Sequence, residues 1–182
     1  PVHEHLVQHI KSGVITGIDT DYMSGPLARA ITEGQLLTPV MFRSHGGRPR
    51  AIGEGSLKID IAVIAAPAVD ALGNVTGSEG PSACGSLGYA KADAQFARQV
   101  VLITEAIEPY PHSPASIHQD QVDFIVKVDE VGDSSKIGAG STRMTTNPRE
   151  LLIARRAADV IDKSGYFNNG FSLQTGSGGA SL

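Results

Sequence analysis

Five short runs rich in Val, Ile and Leu, at positions 40–43, 59–66, 99–104, 122–128 and 171–175, predict β-strands. Two of them, Ile61-Ala62-Val63-Ile64-Ala65-Ala66 and Val100-Val101-Leu102-Ile103, are apolar at nearly every position. A strand of that kind is expected to be buried on both faces, as in a parallel sheet covered by helices. Segments with helical spacing lie between them, at 4–11, 26–33, 87–98 and 148–163. The alternation predicts an α/β fold with a largely parallel sheet flanked by helices.

The last helix carries the clearest boundary signals. Asn147 can cap it, Pro148 suits the first helical position, and Glu150 stands at the capping-box place. Leu151, Ala154, Ala158 and Ile161 then share one face, and Ser164-Gly165 supplies the stop. A boundary is expected at 166–170, so that 1–165 forms most of one domain and 166–182 a linker with the opening strand and turn of a second. The chain begins at Pro1 and ends just after a Gly-rich turn, and is read as an internal piece whose upstream start is missing. The proline-punctuated stretch 109–114 is expected to be a stiff, extended connection.

A length of 182 residues suits about one domain, and 41% hydrophobic content provides a core that a disordered chain lacks. Asp plus Glu outnumber Lys plus Arg by 19 to 15, a net charge of -4 that argues against nucleic acid as a partner. No run approaches the roughly 20 apolar residues of a bilayer span, so no membrane role is expected and the cytoplasm is the expected compartment. One cysteine, Cys84, allows no internal disulfide. His3, His5 and His9 do not share one helical face, and no metal site is expected.

Four segments carry candidate chemistry. Arg43-Ser44-His45-Gly46-Gly47-Arg48 joins two guanidiniums, an imidazole and a glycine pair. It is either a carboxylate or phosphate site or a solvated surface turn. Asp70-Ala71-Leu72-Gly73-Asn74 follows a predicted buried strand, where α/β sheets place ligands, although Asp70 and Gly73-Asn74 can simply make the turn. Ser82-Ala83-Cys84-Gly85-Ser86-Leu87-Gly88-Tyr89 precedes a predicted helix. Within it Cys84 reads more readily as a small buried hydrophobe than as a nucleophile, having no His nearby in sequence to activate it. Gln174-Thr175-Gly176-Ser177-Gly178-Gly179-Ala180 can aim backbone N–H groups at an oxyanion or a phosphate, yet matches neither a P-loop nor a dinucleotide fingerprint.

Together these segments closely resemble a known family. Phe42-Arg43-Ser44-His45-Gly46-Gly47-Arg48, the block from Ser82 to Tyr89, Thr142-Arg143-Met144-Thr145-Thr146-Asn147-Pro148-Arg149-Glu150 and Gly170-Phe171-Ser172-Leu173-Gln174-Thr175-Gly176-Ser177-Gly178-Gly179 are similar to the citrate lyase alpha-chain family of citrate CoA-transferases. The resemblance implies a CoA-transferase-like α/β/α sandwich. It also implies exchange of the acetyl group of a thioester for citrate, giving a citryl thioester and acetate. The thioester would be acetyl-CoA or the phosphoribosyl-dephospho-CoA arm of an acyl carrier protein, used as substrate, with no tightly bound cofactor. The implied partners are the beta (citryl lyase) and gamma (acyl carrier) subunits, in an oligomer. The carboxylate is expected to attack the thioester directly, through a mixed anhydride and without a glutamyl intermediate.

That chemistry assigns expectations to residues. Gly176, Gly178 and Gly179 would donate N–H groups to the oxyanion. Arg43, His45, Gly46, Gly47, Arg48 and Arg143 would hold the acid. Asn74, Ser82, Gly85, Gln174 and Thr175 would contact the CoA-like arm. Two other readings stay open: a module that binds the arm without chemistry, and a transferase acting on citramalate.

Overall fold

The computed structural model of the chain describes residues 4–80, 82–85, 87–134 and 145–174. The expected contacts at Arg143, Thr175, Gly176, Gly178 and Gly179 lie outside the described residues.

Three short helices and two two-residue strands come first: α1 (Leu6–Lys11), β1 (Asp19–Thr20), α2 (Gly25–Thr32), β2 (Met41–Phe42) and α3 (Gly47–Gly53). β1 and β2 pair in parallel, with Thr20 beside Phe42. The main sheet follows, its three parallel strands ordered β3 (Ile61–Ala66), β6 (Gln99–Thr104), β8 (Phe124–Lys127). Between β3 and β6 lie β4 (Ala68–Asp70), β5 (Val75–Thr76) and α4 (Ala90–Phe96). β7 (Ile107–Glu108) completes a small mixed sheet ordered β5-β4-β7, and a single 3-10 turn, Gln119–Gln121, leads into β8. α5 (Pro148–Lys163) comes last.

The core is where alternate strand residues of the main sheet meet α4 and the small sheet. Ala62, Ile64 and Ala66 of β3 and Val100 and Leu102 of β6 pack with Val69, Val75, Ala94 and Ile117. Each fully buried Val, Leu or Ile contributes about 1.5–3 kcal/mol of transfer free energy. The backbone of β6 is tied in at its start, where Asp123 Oδ2 accepts from the Val100 amide at 2.7 Å.

The fold class is α/β, as expected, but burial on both faces is corrected. β3 alternates exposed and buried positions, so that Ile61 and Val63 are more than half exposed, as is Phe124 on β8. The outer face of β3 is thus apolar yet open among the described residues. The helix expected over 87–98 is confined to α4: Gly88 has φ +58, a conformation an L residue resists, and Ala97 is already extended. Residues 171–174 form no strand, correcting that part of the run expected at 171–175.

α5 has the expected bounds, and Asn147 Oδ1 accepts from the Arg149 amide at 2.9 Å. The Glu150 carboxylate, however, takes the Thr145 hydroxyl, and the Asn147 amide donates to that same hydroxyl at 3.1 Å, so the reciprocal capping box is replaced by a Thr145 relay. No residue of α5 is buried.

Candidate functional site

Parallel pairing of β1 and β2 brings their C-terminal ends together, and two acidic residues of β1 and its following turn thereby face the cations that follow β2. Arg43 Nε donates to Asp19 Oδ2 at 2.6 Å. His45 Nδ1 lies 2.6 Å from Asp21 Oδ2. Arg48, on α3, reaches across to α4: its Nη2 donates to Asp93 Oδ1 at 2.8 Å, and its guanidinium carbon lies 5.4 Å from the centroid of the Tyr89 ring. Gly47, expected in a turn, instead opens a helix, and its amide donates to Ser44 Oγ at 3.0 Å.

The expected pair of anion-holding arginines is thus already matched by two carboxylates, Asp19 and Asp93, while Asp21 takes the imidazole. Asp19 Oδ1 is buried without a hydrogen bond, and Arg48 Nη1 lies 4.0 Å from it. Burial pushes the Asp93 carboxyl above its usual range, against the opposing pull of Arg48. Burial also raises the Tyr89 phenol, and the negative charge of Asp21 adds to the effect. A cleft of about 470 Å³ opens over this cluster, lined by His45, Gly46, Pro49 and, from the loop and helix that follow, Gly88, Tyr89, Lys91, Ala92 and Gln95.

A second cleft, of about 220 Å³, sits where β3 ends, at the edge where open α/β sheets receive ligands. Ala65, Ala66 and Pro67 form its floor, and Ser82, Cys84 and residues 131–134 its walls. Glu105, just past β6, holds the far wall by accepting from the Val131 amide at 2.7 Å. Cys84 is exposed, which corrects its reading as a small buried apolar residue, and no imidazole is among the residues that line the cleft. The loop that carries Ser82 is pinned from below, since the amides of Cys84 and Gly85 both donate to the Gly77 carbonyl, at 2.8 and 2.9 Å. The Gly85 amide is therefore committed within the loop. The close approach requires glycine at 77: a Cβ there would stand 2.0 Å from the Gly85 carbonyl oxygen.

The segment from Ser82 to Tyr89 links the two clefts, with Ser82 and Cys84 in one and Gly88 and Tyr89 in the other. Asn74 lies elsewhere, in a third cleft of about 610 Å³ between the 3-10 turn and the stretch from Tyr110 to Ala115. Its amide bonds Gln119 Oε1 at 3.0 Å and Asp70 Oδ2 at 2.8 Å. Asp70 is the organiser of that turn. Its Oδ1 accepts from the amides of Leu72, Gly73 and Asn74, and its Oδ2 from the amide of His112 at 3.0 Å. Burial alone would raise this carboxyl, but the His112, Asn74 and Leu72 donors outweigh it and hold the pKa near 2. The turn-making reading of Asp70 is the one the geometry supports.

Sequence reasoning missed Asp19, Asp21, Asp93 and His112. Asp19 lies in a strand too short to leave a periodic signal and Asp21 in the turn after it, and Asp93 is marked in the sequence only as an acidic residue in a helix. His112 sits in the stretch read as a mere connection, yet its Nε2 is 3.1 Å from Glu79 Oε2 and its Nδ1 is buried without a partner. Both peptide bonds that flank it on the proline side, Tyr110–Pro111 and Ser113–Pro114, are cis. Gln174 is exposed and lines none of these clefts. Among the described residues no group of three His, Cys, Asp or Glu could hold a metal ion, and no helix is long and apolar enough to cross a membrane.

Comparison with known proteins gives a concordant result. A family model described as citrate lyase, alpha subunit (CitF) matches residues 1–182. The citrate lyase alpha chain of Escherichia coli is 61% identical over 180 residues, covering 99% of this chain and 35% of the relative. A crystal structure of a citrate lyase alpha subunit from Streptococcus mutans, in complex with citrate, is 52% identical with a TM-score of 0.86, over 98% of this chain and 35% of that one. A 4-hydroxybutyrate CoA-transferase from Porphyromonas gingivalis, 20% identical with a TM-score of 0.55 over 97% of this chain and 42% of its own, shares the fold. The chain therefore spans about a third of the length of the citrate lyase relatives it matches.

Proposed function

The chain belongs to the citrate lyase alpha-subunit family, and on that premise we propose that it is part of a citrate CoA-transferase. The protein exchanges the acetyl group of a thioester for citrate and releases acetate. The observation that carries the reading is the coincidence of a match over residues 1–182 with two clefts at strand C-terminal ends, joined by the segment from Ser82 to Tyr89. The citrate bound by the Streptococcus mutans relative supports the acid substrate.

In this account the acid occupies the cleft over Tyr89, and the thioester arm enters the cleft walled by Ser82 and Cys84. A citrate carboxylate attacks the thioester carbonyl, the thiolate departs, and a mixed anhydride remains. The thiolate then attacks the citryl carbonyl of that anhydride and acetate leaves. The nucleophile is already an anion, so the site's task is to bring two reactants together and to stabilise the oxyanion. Gly176, Gly178 and Gly179 are the proposed oxyanion donors, with Arg143 a further contact to the acid.

The arm is proposed to be acetyl-CoA or the phosphoribosyl-dephospho-CoA of an acyl carrier subunit, and the partners the beta and gamma subunits of a cytoplasmic oligomer. Residues 1–165 would form most of the first transferase-like domain, and 166–182 the entry to a second. The uncovered outer face of β3, β6 and β8 supports this, because a parallel sheet is normally covered on both sides. The test is transfer between acetyl-CoA and citrate by the full-length protein, read by mass spectrometry. Citryl-CoA and acetate in equal amounts are the expected products, whereas binding of a CoA analogue without exchange would favour the binding-module reading.

A further inference from the structure

His45 and Asp21 form a pair that differs from the two arginine pairs beside it. The Asp21 carboxylate is largely buried, while the imidazole it holds is 83% exposed and forms a wall of the cleft over Tyr89. Two contacts fix the arrangement from below: the Tyr89 hydroxyl donates to Asp21 Oδ1 at 3.4 Å, and the His45 ring stands edge-on to the Tyr89 ring, centroids 5.4 Å apart at 69°. Because an ionised carboxylate only accepts, the bond to Oδ2 requires the proton on Nδ1, so that Nε2 is the acceptor of the tautomer Asp21 selects.

An acceptor at the wall of an acid-binding cleft needs a donor on the ligand. Carboxylates offer none at neutral pH, and citrate carries a single donor, its tertiary hydroxyl. The Lys91 side chain lines the same cleft and provides a cation for a neighbouring carboxylate. The geometry points to a specificity device: Asp21 is a positioning residue that fixes the His45 tautomer, and His45 Nε2 accepts the hydroxyl of a hydroxy acid held over Tyr89. This rests on the transferase reading for its ligand. The cleft volume of about 470 Å³ lies within the range of roughly 300–1,000 Å³ usual for small-molecule sites.

The test compares citrate with tricarballylate, which has the same three carboxylates and no hydroxyl. Binding of each to the full-length protein is measured by calorimetry, and thioester exchange is followed separately. The wild-type protein is expected to bind citrate on the order of 10–100-fold more tightly, since a site that accepts from a hydroxyl rejects its absence. Asp21→Asn can donate to Nδ1 and move the proton to Nε2, and it is expected to bring the two affinities within a few-fold, with unchanged far-UV circular dichroism. His45→Gln and Asp21→Leu are the second variants and are expected to lose the preference likewise. Equal affinities in the wild-type protein, or variants that weaken both acids by one common factor, would overturn the inference. A hydroxyl-dependent preference without any thioester exchange would leave it standing and refute the transferase reading instead.

Discussion

Asp70 shows how much one side chain can hold. Its five donors come from Leu72, Gly73, Asn74 and His112, so removing the carboxylate strands several buried N–H groups at once. Asp70→Ala is expected to destabilise the chain by about 2–4 kcal/mol in urea denaturation. The pH dependence follows from the lowered pKa: the contribution is complete above the ordinary value of 3.8 and is lost as pH falls through about 2. Asp70→Asn is accordingly expected to flatten the stability profile between those values, which acid titration followed by circular dichroism would register. Gly77→Ala places a methyl 2.0 Å from the Gly85 carbonyl oxygen, and backbone must move to admit it. A loss of roughly 1–3 kcal/mol is expected, with displacement of Ser82 and Cys84 from their cleft. The Asp70 turn was legible in the sequence because an Asp followed by Gly-Asn has a local mechanism. The partners of Arg43, His45 and Arg48 were not, since Asp19, Asp21 and Asp93 are 24, 24 and 45 residues away from them respectively.

At the scale of elements, strands with strong apolar content were found at their places, and β6 and α5 at their bounds. The two-residue strands β1, β5 and β7 had no periodicity to read, being held by pairing and not by pattern, whereas the equally short β2 lies within the run predicted at 40–43. The composition of β3 announced a strand with two covered faces, whereas the described residues cover one. That difference yields an experiment. Val63→Ser on the open face is expected to change the stability of the 182-residue chain by less than about 0.5 kcal/mol. In the full-length protein, where the same face would be covered, the substitution is expected to cost about 2 kcal/mol. Equal effects in the two proteins, measured by urea denaturation, would show that nothing further packs on this sheet.

For the molecule as a whole, three parallel strands joined by long crossovers carry a cleft where β3 ends. The cations that the sequence placed in one loop prove to be internally compensated, leaving His45 and Lys91 to face the cleft over Tyr89. Transfer between two acids by direct attack requires both substrates to be present together, which gives the kinetics a definite form. Initial rates of citryl-CoA formation by the full-length protein, measured by mass spectrometry over a grid of acetyl-CoA and citrate concentrations, decide whether transfer takes that form. Intersecting reciprocal lines with citryl-CoA as product are the expected result. Parallel lines would require a covalent enzyme intermediate and contradict direct attack, and an absence of citryl-CoA would contradict the transferase function itself.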